Sequence, residues 1–226
     1  MGWETWVGET GKVAPSLYAA DFTRLGEQIE ALLAAGCRIF HFDVGDGHFI
    51  PPVTIGPVVL RSIAPIIHAA GGVVDCHLMV ADPAHHFAEF ASSGADSVTF
   101  HVEAAADSRG VGAAARALGL AVGVAFNPDT AVVDAIAFAE AAGAELILCM
   151  SIVPGYSGQP FLPESFARIE ELAGLVSVPI QVDGGVGEDN VAAVRAAGAR
   201  VFVAGNAVFA DADPVAAYRR IAAAAA

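Results

Sequence analysis

The 226-residue chain has few basic side chains and only one lysine, Lys12. Its 11 Lys and Arg residues stand against 25 Asp and Glu residues, so the formal net charge at pH 7 is −14. A chain this acidic is a poor partner for nucleic acid or for an anionic membrane surface. Lys12 precedes the first predicted strand and so lies far from that strand's carboxyl end, which argues against Schiff-base catalysis by a lysine in the site.

Long hydrophobic runs are also missing, although hydrophobic residues make up 55% of the chain. Gly, Asp, Pro or His interrupts them, and no run reaches the ~20 residues of a membrane span. Residues 1–11 lack the basic and apolar segments of a signal peptide, so we expect none. Three cysteines, Cys37, Cys76 and Cys149, show no metal-like spacing, which predicts buried reduced thiols in a cytoplasmic protein.

What the chain does have is a repeated junction in which a helical segment ends, a glycine follows and a strand begins. Gly36, Gly94, Gly143 and Gly198 occupy these junctions. Glycine is the preferred residue just after a helix. The intervals between the junctions each leave room for two strand–helix units, which predicts eight units.

The predicted strands are mostly continuous apolar runs, as expected when both faces of a parallel sheet are covered. They span residues 13–17, 38–43, 73–79, 97–101, 121–126, 146–150, 179–183 and 200–204. Alanine-rich helical segments separate them, and the clearest span residues 21–35, 83–93, 130–142 and 189–197. This alternation predicts a single-domain (β/α)₈ TIM barrel over residues 12–226, with a doubly wound sheet as the alternative. Residues 1–11 form an N-terminal extension whose order is open, partial disorder being one expectation.

Potential metal ligands lie at the ends of three predicted strands. His41 and Asp43 are two residues apart, so both side chains leave the same face of a strand. His77 and Asp183 end two other strands, and in a barrel all strand ends converge on one mouth. Each residue alone also fits a core histidine or a turn aspartate. Together they predict a site for one divalent metal ion, with zinc, iron, manganese and cobalt all suited to mixed nitrogen and oxygen ligands.

Other polar residues near these ends have supporting roles in this interpretation. Asp46 and His48 are expected to order the loop after the second strand, and His101 and Glu103 to support the fold or the site. Glycines follow three neighbouring strands, within residues 154–161, 184–185 and 205–206. Backbone N–H groups there can surround an anion, which predicts a phosphate site without lysine or arginine.

The chain resembles the ribulose-phosphate 3-epimerases in motifs that keep the same order from about residue 12 to 210. The motifs are APSL at 14–17, HFDV at 41–44, DGHF at 46–49, HLMV at 77–80, NPDT at 127–130, MS at 150–151, PGYSGQPF at 154–161, DGG at 183–185 and VAGN at 203–206. The HLM and PGYSGQPF motifs are the most specific of these.

The resemblance implies a metal-dependent isomerase that interconverts D-ribulose 5-phosphate and D-xylulose 5-phosphate at C3. It implies that His41, Asp43, His77 and Asp183 bind the metal, and that Asp43 and Asp183 transfer protons through an enediolate. The residues that it implies for substrate and phosphate binding are Ser16, His77, Met79, Met150, Gly155, Tyr156, Ser157, Gly158, Asp183, Gly184, Gly185, Gly205 and Asn206. The expected partner is a phosphorylated ketose, with no nucleic acid and no membrane, and a homo-oligomer is expected.

The chain departs from this family's pattern at four positions. Gly45, Pro52, Tyr156 and Asn206 stand where the family usually has methionine, asparagine, phenylalanine and serine. Gly45 is expected to leave a gap above the metal. A 3-epimerase of a six-carbon ketose phosphate such as D-allulose 6-phosphate is therefore one alternative. A catalytically silent phosphate-binding barrel is a second alternative, of a different class.

Overall fold

The computed structural model describes residues 2–8 and 11–226, and its central feature is a sheet of eight strands. The strands are β1 (Lys12–Pro15), β2 (Ile39–Gly45), β3 (Val73–Met79), β4 (Ser97–His101), β5 (Ala121–Phe126), β6 (Leu146–Met150), β7 (Ile180–Asp183) and β8 (Val201–Ala204). The helices are α1 (Trp3–Val7), α2 (Leu25–Ala34), α3 (Pro57–Ala69), α4 (Pro83–Ser93), α5 (Ser108–Ala117), α6 (Val132–Ala142), α7 (Ser165–Leu175), α8 (Val191–Ala196), α9 (Asn206–Phe209) and α10 (Pro214–Ala224).

The sheet closes on itself. Its strands pair in the order β1-β8-β7-β6-β5-β4-β3-β2, and each pair is parallel. A further parallel bridge between Ser16 and His41 joins the two outer strands. The predicted TIM barrel is therefore confirmed, and all eight carboxyl ends face one mouth.

Strand and helix boundaries follow the local sequence signals closely. Strands β3, β4, β5 and β6 have the predicted bounds, and every residue of β4, β5 and β6 is buried. The strand β2 begins one residue later than predicted and ends two residues later, because it stays in register with β3 up to the pair Gly45 and Met79. Helix α4 begins after Asp82, whose side chain accepts a hydrogen bond from the His85 N–H, and ends at Gly94 with φ 102°.

The short helix α1 lies at the amino-terminal end of the barrel, opposite the mouth. Its Trp3 and Val7 are buried in one apolar cluster with Ile39, Leu146 and Val201, the first residues of three strands. The order of the N-terminal extension was left open by the sequence; residues 3–7 form this helix, and residues 1, 9 and 10 lie outside the described part.

The remaining expectations about composition concern thiols and membranes. Cys37, Cys76 and Cys149 are buried and free of disulfide bonds. Among the described residues, no helix combines the length and the hydropathy that a membrane span needs.

Candidate active site

The mouth of the barrel brings together the four residues that the sequence suggests as metal ligands. One nitrogen or oxygen atom from each of His41, Asp43, His77 and Asp183 lies within 4.8 Å of the others. The parallel register of β2 and β3 brings the first three together. Asp43 on β2 pairs with His77 on β3, and His41 precedes Asp43 by two residues, so its side chain leaves the same face of β2. Asp183 reaches the same place from the last residue of β7.

The spacing of these atoms suits a metal ion. His41 Nε2 lies 3.3 Å from His77 Nδ1, and Asp43 Oδ1 lies 3.2 Å from each of these nitrogens. Asp183 Oδ2 is 3.9 Å from the first nitrogen and 3.6 Å from the second. Ligand atoms on a tetrahedral zinc ion with bonds of about 2.1 Å are about 3.4 Å apart. Two imidazole nitrogens and two carboxylates at these distances repel one another unless protons or a cation lie between them. The donor set therefore fits one divalent ion.

The two carboxylates of the cluster differ in acid strength. Burial alone would raise the pKa of Asp43, but the charges and hydrogen bonds of His41 and His77 lower it well below its usual range. Burial and then the charge of Asp43 raise the pKa of Asp183 to about 7. In the metal-free protein, Asp43 is thus ionised at neutral pH, while Asp183 keeps its proton at pH values below about 7.

Asp43 is held from two directions. Ser16 Oγ donates a hydrogen bond of 2.5 Å to Asp43 Oδ2, which leaves Oδ1 facing the two histidines. Thr54 Oγ1 donates to the Asp43 carbonyl at 2.8 Å and accepts from the Gly45 N–H at 2.6 Å. The residue that follows β1 therefore orients the carboxylate of Asp43, and the loop after β2 holds its backbone.

A cavity of about 260 Å³ opens beside the cluster. The sequence-predicted residues that line it are Ser16, Asp43, Met79, Met150, Gly155, Tyr156, Ser157, Gly158, Asp183, Gly184, Gly185, Gly205 and Asn206. His77, also expected to touch the substrate, is fully buried behind this wall. Sequence reasoning did not identify Tyr18 and Val186, which line the cavity as well. The sequence gives little indication that these two residues line a cavity, because a tyrosine and a valine near strand ends are usually core residues.

One side of the cavity is built from the glycine segments after β6, β7 and β8. Gly184 and Gly185 have φ of 117° and 65°, a region that favours glycine. Ser157 Oγ donates to Asn206 Oδ1 at 2.9 Å and so joins the loop after β6 to the start of α9. No described lysine or arginine lines this cavity, so an anion bound here would depend on backbone N–H groups and neutral side chains.

Gly45 does not leave the gap that was expected. A Cβ atom at this position would lie 2.5 Å from Ile50 Cδ1 and 2.8 Å from the carbonyl oxygen of Pro52. The loop after β2 turns back on the strand, with an antiparallel bridge between Asp46 and Val53, and buries Ile50. The expectation of a widened site was therefore wrong, because the chain's own isoleucine fills the space.

Both imidazoles of the cluster are also hydrogen-bonded on their far sides. His41 Nδ1 lies 3.0 Å from Asp75 Oδ2, and His77 Nε2 lies 2.9 Å from His101 Nε2. His101 Nδ1 lies 3.2 Å from Glu103 Oε2, in keeping with the supporting role expected of these two residues. Asp75 was missed. The signal was available, because Asp75 precedes His77 by two residues, as His41 precedes Asp43.

Comparison with known proteins gives a consistent family assignment. Residues 12–209 match the model of the ribulose-phosphate 3 epimerase family. The cytoplasmic isoform of ribulose-phosphate 3-epimerase from Oryza sativa subsp. japonica is 35% identical, over 90% of this chain and 89% of that protein. Ribulose-phosphate 3-epimerase from Escherichia coli strain K12 is 37% identical, over 89% of this chain and 90% of that protein.

Solved structures share the barrel. A 3-hexulose-6-phosphate synthase is 25% identical with a TM-score of 0.71, over 96% of this chain and all of that chain (100%). KGPDC from Streptococcus mutans has a TM-score of 0.72 at 13% identity, over 96% of this chain and 97% of that chain, a likeness of fold alone. Because the family match spans most of the barrel and the relatives align over nearly their whole lengths, this chain belongs to the ribulose-phosphate 3-epimerase family.

Proposed function

We propose that this protein is an isomerase that interconverts D-ribulose 5-phosphate and D-xylulose 5-phosphate by inverting C3. Family membership supports the reaction class. The observation in this chain that carries the proposal is the pair Asp43 and Asp183, two cavity-lining carboxylates whose pKa values shift in opposite directions. Titratable pairs with separated acidities are typical of acid–base catalysis.

Inversion at C3 requires removal of a proton from the carbon beside the ketone and its return to the opposite face. Asp43 is on β2 and Asp183 is on β7. Strands β1 and β8 lie between these two strands, so the carboxylates approach the cavity from different sides. A carboxylate on each face can therefore exchange protons with C3 while the sugar stays in place. One aspartate, in its ionised form, accepts the proton from C3, and the other, in its protonated form, supplies a proton to the opposite face; the roles reverse for the opposite reaction. General acid–base catalysis of this kind contributes roughly 10²–10⁴-fold.

The same two aspartates, with His41 and His77, would hold one divalent metal ion, for which zinc, iron, manganese and cobalt are candidates. Such an ion supplies Lewis-acid stabilisation of the negative charge that develops on the substrate oxygens. Ser16 keeps Oδ1 of Asp43 turned toward the histidines. Met79 and Met150 give the cavity an apolar, polarizable wall suited to a flat intermediate.

The substrate phosphate is proposed to occupy the glycine-rich side of the cavity, near Gly184, Gly185, Gly205 and Asn206. Binding there anchors one end of the sugar, so that C3 stays between the two carboxylates. This arrangement needs no basic side chain, in agreement with the acidic composition of the chain.

The two alternatives have less support. The six-carbon ketose phosphate was suggested by a gap at Gly45, and Ile50 fills that space. A silent barrel would have no need for four converging ligand atoms, all of which are in place. A homo-oligomer and a cytoplasmic location are also proposed. The half-exposed Phe22 and exposed Val58, which share one surface groove, support the first, and a relative named as a cytoplasmic isoform supports the second.

The proposal is tested with ribulose 5-phosphate in deuterated water, followed by NMR. We expect deuterium at C3 and accumulation of xylulose 5-phosphate. Deuterium at C1 alone would indicate an aldose–ketose isomerase, and no exchange with any of the four candidate metals would contradict the epimerase assignment. Allulose 6-phosphate, run in parallel, is expected to react much more slowly.

A further inference from the structure

Each imidazole of the four-residue cluster presents one ring nitrogen to the other ligands and directs its second nitrogen to a group outside the cluster. Which nitrogen carries the proton decides whether the ring can act as a ligand, because only a nitrogen with a free lone pair binds a metal. The partners of the outer nitrogens therefore determine what the cluster can do.

The outer partner of His41 is a carboxylate that is already crowded with donors. Asp75 is fully buried. Its Oδ1 accepts hydrogen bonds from Ser97 Oγ at 2.8 Å and Thr99 Oγ1 at 2.9 Å. Its Oδ2 accepts from Gln181 Nε2 at 3.1 Å and faces His41 Nδ1 at 3.0 Å. A carboxylate in this setting only accepts, so His41 carries a proton on Nδ1 and can direct the lone pair of Nε2 into the cluster.

The outer partner of His77 is a second histidine, which in turn meets a carboxylate. Glu103 Oε1 accepts hydrogen bonds from the Asn127 N–H at 2.9 Å and from Thr130 Oγ1, and its Oε2 faces His101 Nδ1 at 3.2 Å. His101 therefore donates through Nδ1, and a neutral ring then has only a lone pair on Nε2. Because that nitrogen lies 2.9 Å from His77 Nε2, the proton of His77 must be on Nε2 and its lone pair on Nδ1.

The surroundings of this relay favour a neutral His101. The ring is fully buried, and Phe49 packs on it with ring centroids 4.8 Å apart. Enclosure of this kind disfavours the charged imidazolium. The neutral ring has one proton, and Glu103 sets the direction of its two hydrogen bonds.

We propose that Asp75 and the His101–Glu103 pair are positioning residues that keep a proton on the outer ring nitrogens, Nδ1 of His41 and Nε2 of His77, so that His41 Nε2 and His77 Nδ1 are the nitrogens available to a metal ion. The inference rests on the proposed metal site and adds to it three residues that do not touch the ion. Outer partners of this kind typically contribute 10- to 100-fold to metal affinity.

The tautomers can be observed directly by two-bond ¹⁵N–¹H NMR of the histidine rings, first in metal-stripped protein and then after addition of zinc, with assignments from single histidine variants. The expected result is His101 protonated on Nδ1 and His77 on Nε2 already in the stripped protein, with His41 protonated on Nδ1 alone once zinc is bound. A proton on His77 Nδ1 in the stripped protein, or on His101 Nε2, would overturn the proposal.

A variant series tests the effect on affinity by competition with a zinc chelator. His101→Leu removes the acceptor for His77 Nε2–H, and we expect zinc to bind 10- to 100-fold more weakly. His101→Gln offers a side-chain oxygen in its place and is expected to stay within about threefold of the parent, as is the control His85→Leu on the exposed side of α4.

Failure of this inference is distinguishable from failure of the proposed function. If His101→Leu binds zinc as tightly as the parent while the parent epimerises ribulose 5-phosphate, the positioning role is wrong and the function stands. If the parent shows the expected tautomers and zinc affinity but exchanges no proton at C3, the metal site stands and the reaction is wrong. The tautomer measurement uses the parent protein, so it decides the matter even where a variant fails to fold.

Discussion

Asp43 and Asp183 reach the same cluster from β2 and β7, yet their pKa values shift in opposite directions. The difference has a simple origin. Asp43 lies 3.2 Å from both ring nitrogens, and the charges and hydrogen bonds of the two histidines lower its pKa despite its burial, whereas Asp183 is further from the rings, and its burial and then the charge of Asp43 raise its pKa. Two chemically identical side chains thereby acquire the separate protonation states that a two-sided proton transfer requires.

Replacement of either aspartate by asparagine is expected to lower the kcat of epimerisation by at least 10²-fold, because each variant lacks the proton carrier on one face of C3. Circular dichroism should show a folded protein. The control is Asp134→Asn, an exposed aspartate on α6, with kcat expected to be unchanged. Near-normal turnover in both Asp43→Asn and Asp183→Asn would rule out the two-carboxylate scheme.

The stability of the metal-free protein should depend on pH through Asp183. Its folded pKa of about 7 lies above the ordinary value of 3.8, so the native state binds more protons between these values. The contribution of Asp183 to the free energy of unfolding therefore falls as pH rises from about 4 to about 7 and stays low above that. Asp183→Asn removes this loss. It should be more stable than the parent at pH 8, on the order of a few kcal/mol, with the difference vanishing near pH 4.

Asp43→Asn supplies the opposite sign in the same experiment. The lowered pKa of Asp43 contributes stability that is present above pH 3.8 and is lost as pH falls, so its removal should destabilise the metal-free protein at neutral pH. Urea unfolding with a chelator, from pH 4 to pH 8, measures both. A parent that is more stable than Asp183→Asn at pH 8 would show that burial and the charge of Asp43 do not destabilise the ionised carboxylate of Asp183.

The barrel and the cluster could be predicted because each depends on short-range signals: apolar runs, glycines after helices and ligand residues at strand ends. Convergence at the mouth then follows from the fold. Gly45 was misinterpreted because its neighbour Ile50 is placed by the fold of a loop, which no local pattern specifies. Asp75 was missed because its two-residue spacing from His77 is visible in the sequence, whereas the register that pairs it with His41 is not.

The contact between Gly45 and Ile50 predicts a specific pattern of stabilities. Gly45→Ala should destabilise the protein by about 1–3 kcal/mol, because the new methyl group meets Ile50 Cδ1 and the Pro52 carbonyl. Ile50→Val removes Cδ1 and should recover part of this loss in the double variant, whereas alone it should cost about 1 kcal/mol. Urea unfolding of the parent, the two single variants and the double variant gives the coupling free energy between Gly45→Ala and Ile50→Val. Strictly additive losses of stability would contradict the contact.

Asn206 allows a test of the phosphate position. It lines the glycine-rich side of the cavity, so Asn206→Asp would place a negative charge beside the proposed phosphate. We expect the KM for ribulose 5-phosphate to rise at least tenfold with little change in kcat, because the phosphate is bound equally in the ground and transition states. Asn206→Ser keeps a neutral hydrogen-bonding side chain and should stay within a few-fold of the parent. Equal KM values for the two variants would place the phosphate elsewhere.

The N-terminal helix provides a test at the other end of the barrel, where we propose that the extension is part of the folded domain. Trp3 is fully buried against the first residues of the strands, and Trp6 packs on it edge to face with ring centroids 5.4 Å apart but stays half-buried. Trp3→Ala should therefore lower the free energy of unfolding by about 3–5 kcal/mol. Trp6→Ala, in the same helix, should cost only about 1 kcal/mol.

Neither tryptophan variant should alter kcat/KM at a temperature where both remain folded, since the helix lies at the end opposite the catalytic mouth. Thermal and urea unfolding of the two variants measure the difference. Equal and small losses would mean that the helix does not cover the barrel in solution. A large loss for Trp3→Ala alone would show that the extension seals the end of the barrel, where Trp3 is buried in one apolar cluster with Ala14 and Ala121.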